Sequence, residues 1–323
     1  MAFKASNPEF FQGRNQKKNY FEGWYFKAAD VSKKNVIAVI PGISLGKSKE
    51  DSHSFVQVID SLSGTFKYFK YKLSDFDHSS KEFKIRIGKS YFDKKTMILD
   101  LDNKTGSVNG KLDFKNIVPF PKGFLSPGIM GPFSYMPFMQ CRHGVINVHH
   151  EVSGTLKIDG KQLSFDNGHG YIEKDWGKSF PDNWVWVQCN NFENGDVSVM
   201  FSTAKVPFLM SSFNGFISFI RIAEKFYKFA TYTGAKVDKL NYQDNTLEFV
   251  LKDKKNTLSM KVVNTPGLVL KAPKNGIMSR EITESISAVS EVKFSADDGA
   301  VIFEGIGFNT GMEISGDINI NKK

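Results

Sequence analysis

The chain is poor in cysteine, in long apolar runs and in helical periodicity. Two cysteines, Cys141 and Cys189, among 323 residues are too few for a disulfide framework, and reduced thiols fit a cytosolic setting best. No apolar run reaches the ~18 residues that a membrane-spanning helix needs. The opening residues, MAFKASNPEFFQGRNQKK, lack the apolar stretch of a secretory signal, so a cytoplasmic location is expected. Apolar residues nowhere recur convincingly at helical spacing, and strands remain the expected element. No basic run interleaved with aromatics marks a nucleic-acid strip, so nucleic acid is not an expected partner. The net charge of +9 is scattered along the chain as a solvated basic surface, which leaves a mild attraction to anionic membranes, and hence peripheral membrane contact, open.

What the chain has instead is aromatic residues, with 30 phenylalanines, and 27 glycines suited to frequent turns. The stretches Asn19–Lys27 (NYFEGWYFK), Asn35–Pro41, Ser54–Asp60, Thr65–Leu73, Phe83–Gly88 and Thr96–Asp102 read as strands separated by Gly, Asn, Asp and Ser. Strands at this spacing predict a sandwich or barrel. The second half echoes the first. Trp24–Lys27 answers to Trp184–Val187, Asn35–Ile40 to Asp196–Phe201, Ser54–Ile59 to Ser218–Ile222 and Thr65–Tyr71 to Lys225–Thr231. Phe83–Ile87 then answers to Leu247–Leu251, and Met97–Leu101 to Leu258–Val262. The expected architecture is all-β: two similar antiparallel β domains from an internal duplication, residues 1–178 and 179–323.

Residues 1–18 read as a polar lead-in. The segment 117–140 breaks the strand pattern with five prolines, which exclude a regular helix or central strand. So apolar a loop must pack on something, either as a lid over a pocket or as a plug in a barrel end, with docking on a membrane as a third choice.

Gly170–Asn191 carries three of the four tryptophans, the spaced acids Glu173 and Asp175, and a strand ending in Gln188, Cys189 and Asn190. Strand alternation places Tyr171, Glu173 and Asp175 on one face, and Trp184, Trp186 and Gln188 on one face of the next strand. Acids beside large rings suggest an apolar pocket with a proton source; an aromatic core with two surface carboxylates fits the same residues. Glu22 shares a face with Trp24, either as part of a site or at the strand start, in water or paired with a lysine. His143, His149 and His150 come with no cysteine or carboxylate cluster to complete a shell, and neither a metal nor another cofactor is expected.

Four stretches resemble the tocopherol cyclase-like family: YFEGWYFK (Tyr20–Lys27), PGIMGPFSYMPFMQCRHGV (Pro127–Val145), EKDWGKSFPDNWVWVQCN (Glu173–Asn190) and KAPKNGIMSREITES (Lys271–Ser285). The resemblance implies two lipocalin-like barrels in tandem and the closure of a chromanol ring from a prenylated quinol. Tyr171-x-Glu173-x-Asp175-x-Gly177 is similar to the acid-bearing strand of related carotenoid hydratases, which implies Glu173 as the proton donor with Asp175 as its orienter or substitute. Trp24, Trp176 and Trp184 would form walls that stabilise a cation. Gln188, Asn190 or Gln57 would hold the phenol oxygen, and Glu22, Met130, His143 and Tyr171 would contact the substrate. The expected ligand is therefore a hydrophobic prenyl quinol or isoprenoid lipid, which the protein cyclises, hydrates or isomerises. The rival expectation is a carrier that binds such a ligand without chemistry.

Overall fold

The computed structural model describes residues 6–124, 126–137, 139–208 and 211–318. Its strands are β1 (Tyr20–Ala29), β2 (Val36–Leu45), β3 (His53–Asp60), β4 (Thr65–Tyr71), β5 (Phe76–His78), β6 (Lys84–Ile87), β7 (Ser90–Asp93), β8 (Thr96–Asn103), β9 (Gly106–Pro119), β10 (Cys141–Ile158), β11 (Lys161–Ser164) and β12 (Gly168–Gly177). They continue with β13 (Trp184–Cys189), β14 (Val197–Phe208), β15 (Ser211–Ile222), β16 (Lys225–Ala230), β17 (Lys236–Gln243), β18 (Thr246–Lys252), β19 (Asn256–Val263), β20 (Leu268–Lys274), β21 (Ile277–Ala296) and β22 (Val301–Ser315).

Two sheets result. The first runs β4-β3-β2-β1-β12-β10-β9-β8-β7-β6-β5 and wraps into a nearly closed barrel; the second runs β16-β15-β14-β13-β22-β21-β19-β18-β17. In each, the first strand pairs antiparallel with the last, β1 with β12 and β13 with β22. The duplicated all-β architecture expected from the sequence is present. Two of the repeat pairings need correction. Counting outward from β12 and β22, the counterpart of β18 is β8, so Leu247–Leu251 answers to Met97–Leu101, and Phe83–Ile87 lies in the extra β5–β6 hairpin of the first sheet. Alternating apolar strands are interchangeable by pattern, and only hydrogen-bonded order tells them apart.

The chain divides into one unit of Met1–Phe180 with Leu270–Glu281, and another of Pro181–Val269 with Ile282–Lys323. The segment Leu270–Glu281, which the sequence keeps with the second domain, thus belongs to the first unit. Its tie is specific: the Lys271 backbone N–H donates to Gln57 Oε1 at 3.0 Å, and Ser44 Oγ donates to the Gly276 carbonyl at 2.6 Å. Pro41 does not end its strand; β2 runs on to Leu45.

Each unit has its own core. In β8, Met97, Leu99 and Leu101 are buried while Ile98, Asp100 and Asp102 face out, which is the period-two signal in the sequence. β3 and β13 are buried along their whole length on both faces. The inner face of the first barrel packs Trp24, Phe26, Phe92, Phe114, Leu112 and Ile172. That of the second packs Val185, Val187, Phe201, Phe249 and Phe294.

The lead-in is not a solvated tail. Phe11 enters the first core, and the N–H groups of Gln12 and Gly13 donate to the Glu22 carboxylate. Glu22, fully buried, is paired with the equally buried Lys174, Nζ to Oε1 2.5 Å, and accepts the Tyr20 hydroxyl. Lys174 also donates to the carbonyls of Pro8 and Phe10 at 2.7 and 2.6 Å. Its ammonium sits 4.7 and 4.8 Å from the ring centres of Trp24 and Trp176. Gly144, opposite Lys174 in the ladder, leaves the space Pro8 fills: a Cβ there would stand 2.9 Å from the proline Cβ. Every donor of the ammonium is satisfied, which is what lets a lysine sit among indoles.

His150 is the opposite case. It is fully buried against Phe114, ring centres 4.4 Å apart, and neither ring nitrogen has a hydrogen-bond partner. Burial, helped by neighbouring His149 and His169, lowers its pKa to about 3. An unfolded histidine binds its proton near pH ~6.5. Between about 6.5 and about 3 the unfolded chain therefore carries the extra proton, and stability falls as the solution is acidified. We expect His150 alone to remove about 1.4 kcal/mol per pH unit in that window. Denaturant titrations from pH 7 to 4 should show a shallower loss for His150→Leu than for the parent; equal slopes would refute the assignment.

Candidate active site

β12 lies between β1 and β10, so its side chains have neighbours on both sides. Ile172, Lys174 and Trp176 point toward the barrel interior, and Tyr171, Glu173 and Asp175 toward the other face. On that face β10 places His143 opposite Asp175 and Val145 opposite Glu173; β1 places Gly23 opposite Asp175 and Tyr25 opposite Glu173. Gly23 has no side chain to fill the space beside Asp175.

His143 joins the two acids. Its Nδ1 is 3.0 Å from Asp175 Oδ1. Its Nε2 is 3.4 Å from Glu173 Oε2, an ion-pair distance without the alignment of a hydrogen bond. The Tyr171 hydroxyl donates to Glu173 Oε2 at 2.6 Å. Cys141 Sγ lies 3.9 Å from Asp175 Oδ1. The side chains of Glu173 and His143 are 5% and 13% exposed and that of Asp175 is 26% exposed, so solvent reaches the array at Asp175. The segment between β9 and β10 closes on it through Met130, whose Sδ accepts the His143 backbone N–H at 3.2 Å.

The electrostatics follow. Burial alone disfavours a charged imidazole, but the facing carboxylates of Glu173 and Asp175 outweigh it and hold the His143 pKa well above the usual histidine value. The Tyr171 phenol is kept neutral, its pKa pushed up by burial and then by Glu173. Burial, with Asp175 second, likewise raises the Cys141 thiol, which stays protonated. The array thus keeps a proton on His143 between two facing carboxylates. His143, Glu173 and Asp175 are also, among the described residues, the group whose donor atoms converge closely enough for a metal ion. The two carboxylates face different nitrogens of one ring, however, and that geometry suits a shared proton better than a common ion.

The expected site residues fall into four sets. Tyr171, Glu173, Asp175, His143 and Met130 come together. Glu22, Trp24 and Trp176 do not join them: alternation sends them to the opposite face, where they surround Lys174, so the two indoles are no walls for Glu173. Gln57 is engaged with Lys271. Trp184, Gln188 and Asn190 belong to the second unit, where Trp184 Nε1 donates to Glu313 at 2.9 Å and Gln188 Nε2 to Asn190 Oδ1 at 3.2 Å. Sequence reasoning passed over Cys141 and Lys174. Lysine at the even position between Ile172 and Trp176 was the available signal for a buried cation.

Comparison with known proteins bears on the family and on the fold. Residues 103–316 match the family described as tocopherol cyclase-like. The chloroplastic tocopherol cyclase of Zea mays is 34% identical over 71 residues, 21% of this chain and 15% of that protein. The chain spans less than a fifth of the length of the curated relatives it matches. Two crystal structures share the fold along almost the whole chain. CghA has a TM-score of 0.58 at 11% identity, covering 92% of this chain and 89% of its own. Kievitone hydratase from Nectria haematococca has a TM-score of 0.51 at 12% identity, covering 95% and 93%.

Proposed function

Because the chain belongs to the tocopherol cyclase-like family, we propose that it is an acid catalyst that closes a ring in a prenylated quinol or a kindred isoprenoid lipid. The observation that carries the reading is the partly buried imidazole of His143 bracketed by Glu173 and Asp175. Asp175 holds Nδ1–H and so fixes the ring, leaving Nε2 toward Glu173. At 3.4 Å from Nε2, Glu173 is placed to take the imidazolium proton and hand it on. Glu173 then protonates the prenyl double bond. The phenol oxygen of the same substrate attacks the tertiary cation, a C–O bond forms, and the phenol proton returns to the carboxylate. No proton is consumed overall. Exclusion of water decides between ring closure and hydration. The same array would hydrate an alkene if water replaced the phenol.

The test is incubation of the protein with a prenylated hydroquinone in D2O. The expected product is the chromanol with one deuterium at the carbon next to the new C–O bond. Turnover should fall on the alkaline side as the array loses its proton. The stability assigned to His143 runs the same way: its folded pKa lies above the ~6.5 of the unfolded chain, so the contribution is full below that value and is lost as pH rises through the folded pKa. A product free of deuterium, or a rate that rises through the alkaline range, would exclude the mechanism.

A further inference from the structure

The chain's positive charge is unevenly divided. The first unit holds 30 lysines and arginines against 19 acidic residues, and the second 13 against 15. The whole excess therefore belongs to the unit that carries the His143 array. That unit also presents an apolar side chain to solvent that its own core does not need. Phe124, in the proline-rich segment between β9 and β10, is 89% exposed.

Phe124 sits on a braced segment. The Tyr135 hydroxyl, from the short 3-10 turn Gly131–Tyr135, donates to the Phe124 carbonyl at 2.7 Å, and Tyr135 is itself 39% exposed. Lys122, two residues before, is anchored to Glu9 at 2.7 Å. Between the two rings the same segment turns inward, where Ile129 is fully buried and Met130 meets His143. The exposed aromatic ring and the contact with the proton-bearing array thus belong to one stretch of chain.

We propose that this segment is an interfacial anchor: the first unit docks on an anionic lipid surface, with the Phe124 ring inserted into the headgroup–acyl boundary and the basic excess facing the lipid charge. Aromatic rings favour that boundary, and each lysine or arginine near an anionic leaflet adds about 1 kcal/mol of attraction. A basic surface alone would suit duplex DNA equally, but the paired and stacked bases of a duplex leave an isolated phenylalanine nothing to stack on, whereas a bilayer takes it up. Among the described residues no helix is long and apolar enough to cross a membrane, so the contact would be made by a loop and a charged face. The docking does not require the chemistry proposed above, and its test uses no substrate.

The full chain is mixed with sucrose-loaded vesicles of phosphatidylcholine alone or with 30% phosphatidylglycerol, and sedimented. Binding is expected on the anionic vesicles, to weaken with salt, and to be nearly absent on the neutral ones. Phe124→Ser should lower the partition coefficient on anionic vesicles about tenfold, the scale of burying one large apolar side chain, with no change in Tm. Phe124→Trp should bind like the parent and gain an emission component quenched by brominated acyl chains. Equal binding by the parent and Phe124→Ser, an unquenched Phe124→Trp, or binding to duplex DNA as tight as to anionic vesicles would overturn the proposal.

Discussion

Replacing Glu173 with glutamine is expected to lower turnover of a prenylated hydroquinone by about 10³-fold, within the 10²–10⁴ range of general acid catalysis, while changing the ligand Kd by less than about threefold. Glutamine keeps the shape of the side chain and can still accept the Tyr171 hydroxyl, which lies 2.6 Å from Glu173 Oε2. It cannot pass a proton from His143. Single-turnover rates and fluorescence binding titrations on the same preparations check the two halves. A carrier protein would show no turnover in the parent either. Loss of binding in step with rate would mean that Glu173 holds the ligand and does not act as the acid. Asp175→Asn makes a useful contrast. It removes the partner of Nδ1 3.0 Å away, so it should shift the alkaline limb of the rate profile to lower pH, because His143 loses one of the charges that raise its pKa.

The second large effect concerns stability. Lys174→Met is expected to destabilise the first unit by about 3–5 kcal/mol, the cost of leaving one charge of a buried pair uncompensated. Glu22 would then lie fully buried with only the Tyr20 hydroxyl and the Gln12 and Gly13 N–H groups around it. The carbonyls of Pro8 and Phe10 would lose their shared donor. The segment ahead of β1 should loosen first, and hydrogen exchange at Gln12 and Gly13 should rise. The double variant Glu22→Gln, Lys174→Met should recover part of the loss, because it removes both charges. Chemical denaturation of the parent and the two variants provides the measurement. A single Lys174→Met as stable as the parent would show that the pair contributes nothing net.

The two effects concern neighbouring residues whose side chains leave the same strand in opposite directions. Substitutions at 173 and 174 should therefore separate cleanly, one in kcat and the other in Tm, although adjacent sites share a backbone and need not be strictly additive.

Much of this protein is legible in its residues alone. Period-two alternation announces strands such as Thr96–Asn103, and the repeated order of strands announces two sheets. The spacing of Tyr171, Glu173 and Asp175 places them on one face, because a strand turns each side chain by half a turn. The same rule, applied one residue on, places Trp176 with Lys174 and away from the acids. The sequence could not say which face is the inside of the barrel, since β1 and β3 are buried along nearly their whole length on both sides. Nor could it pair residues far apart. His143 meets Glu173 and Asp175 because β10 and β12 hydrogen-bond in one register. Lys174 is neutralised by Glu22 because β1 lies on the other side of β12. Leu270–Glu281 joins a unit that ends some ninety residues earlier in the chain. Local pattern determines the element and the parity of each side chain; register and long-range pairing, which depend on closing a sheet, determine which charges share a space.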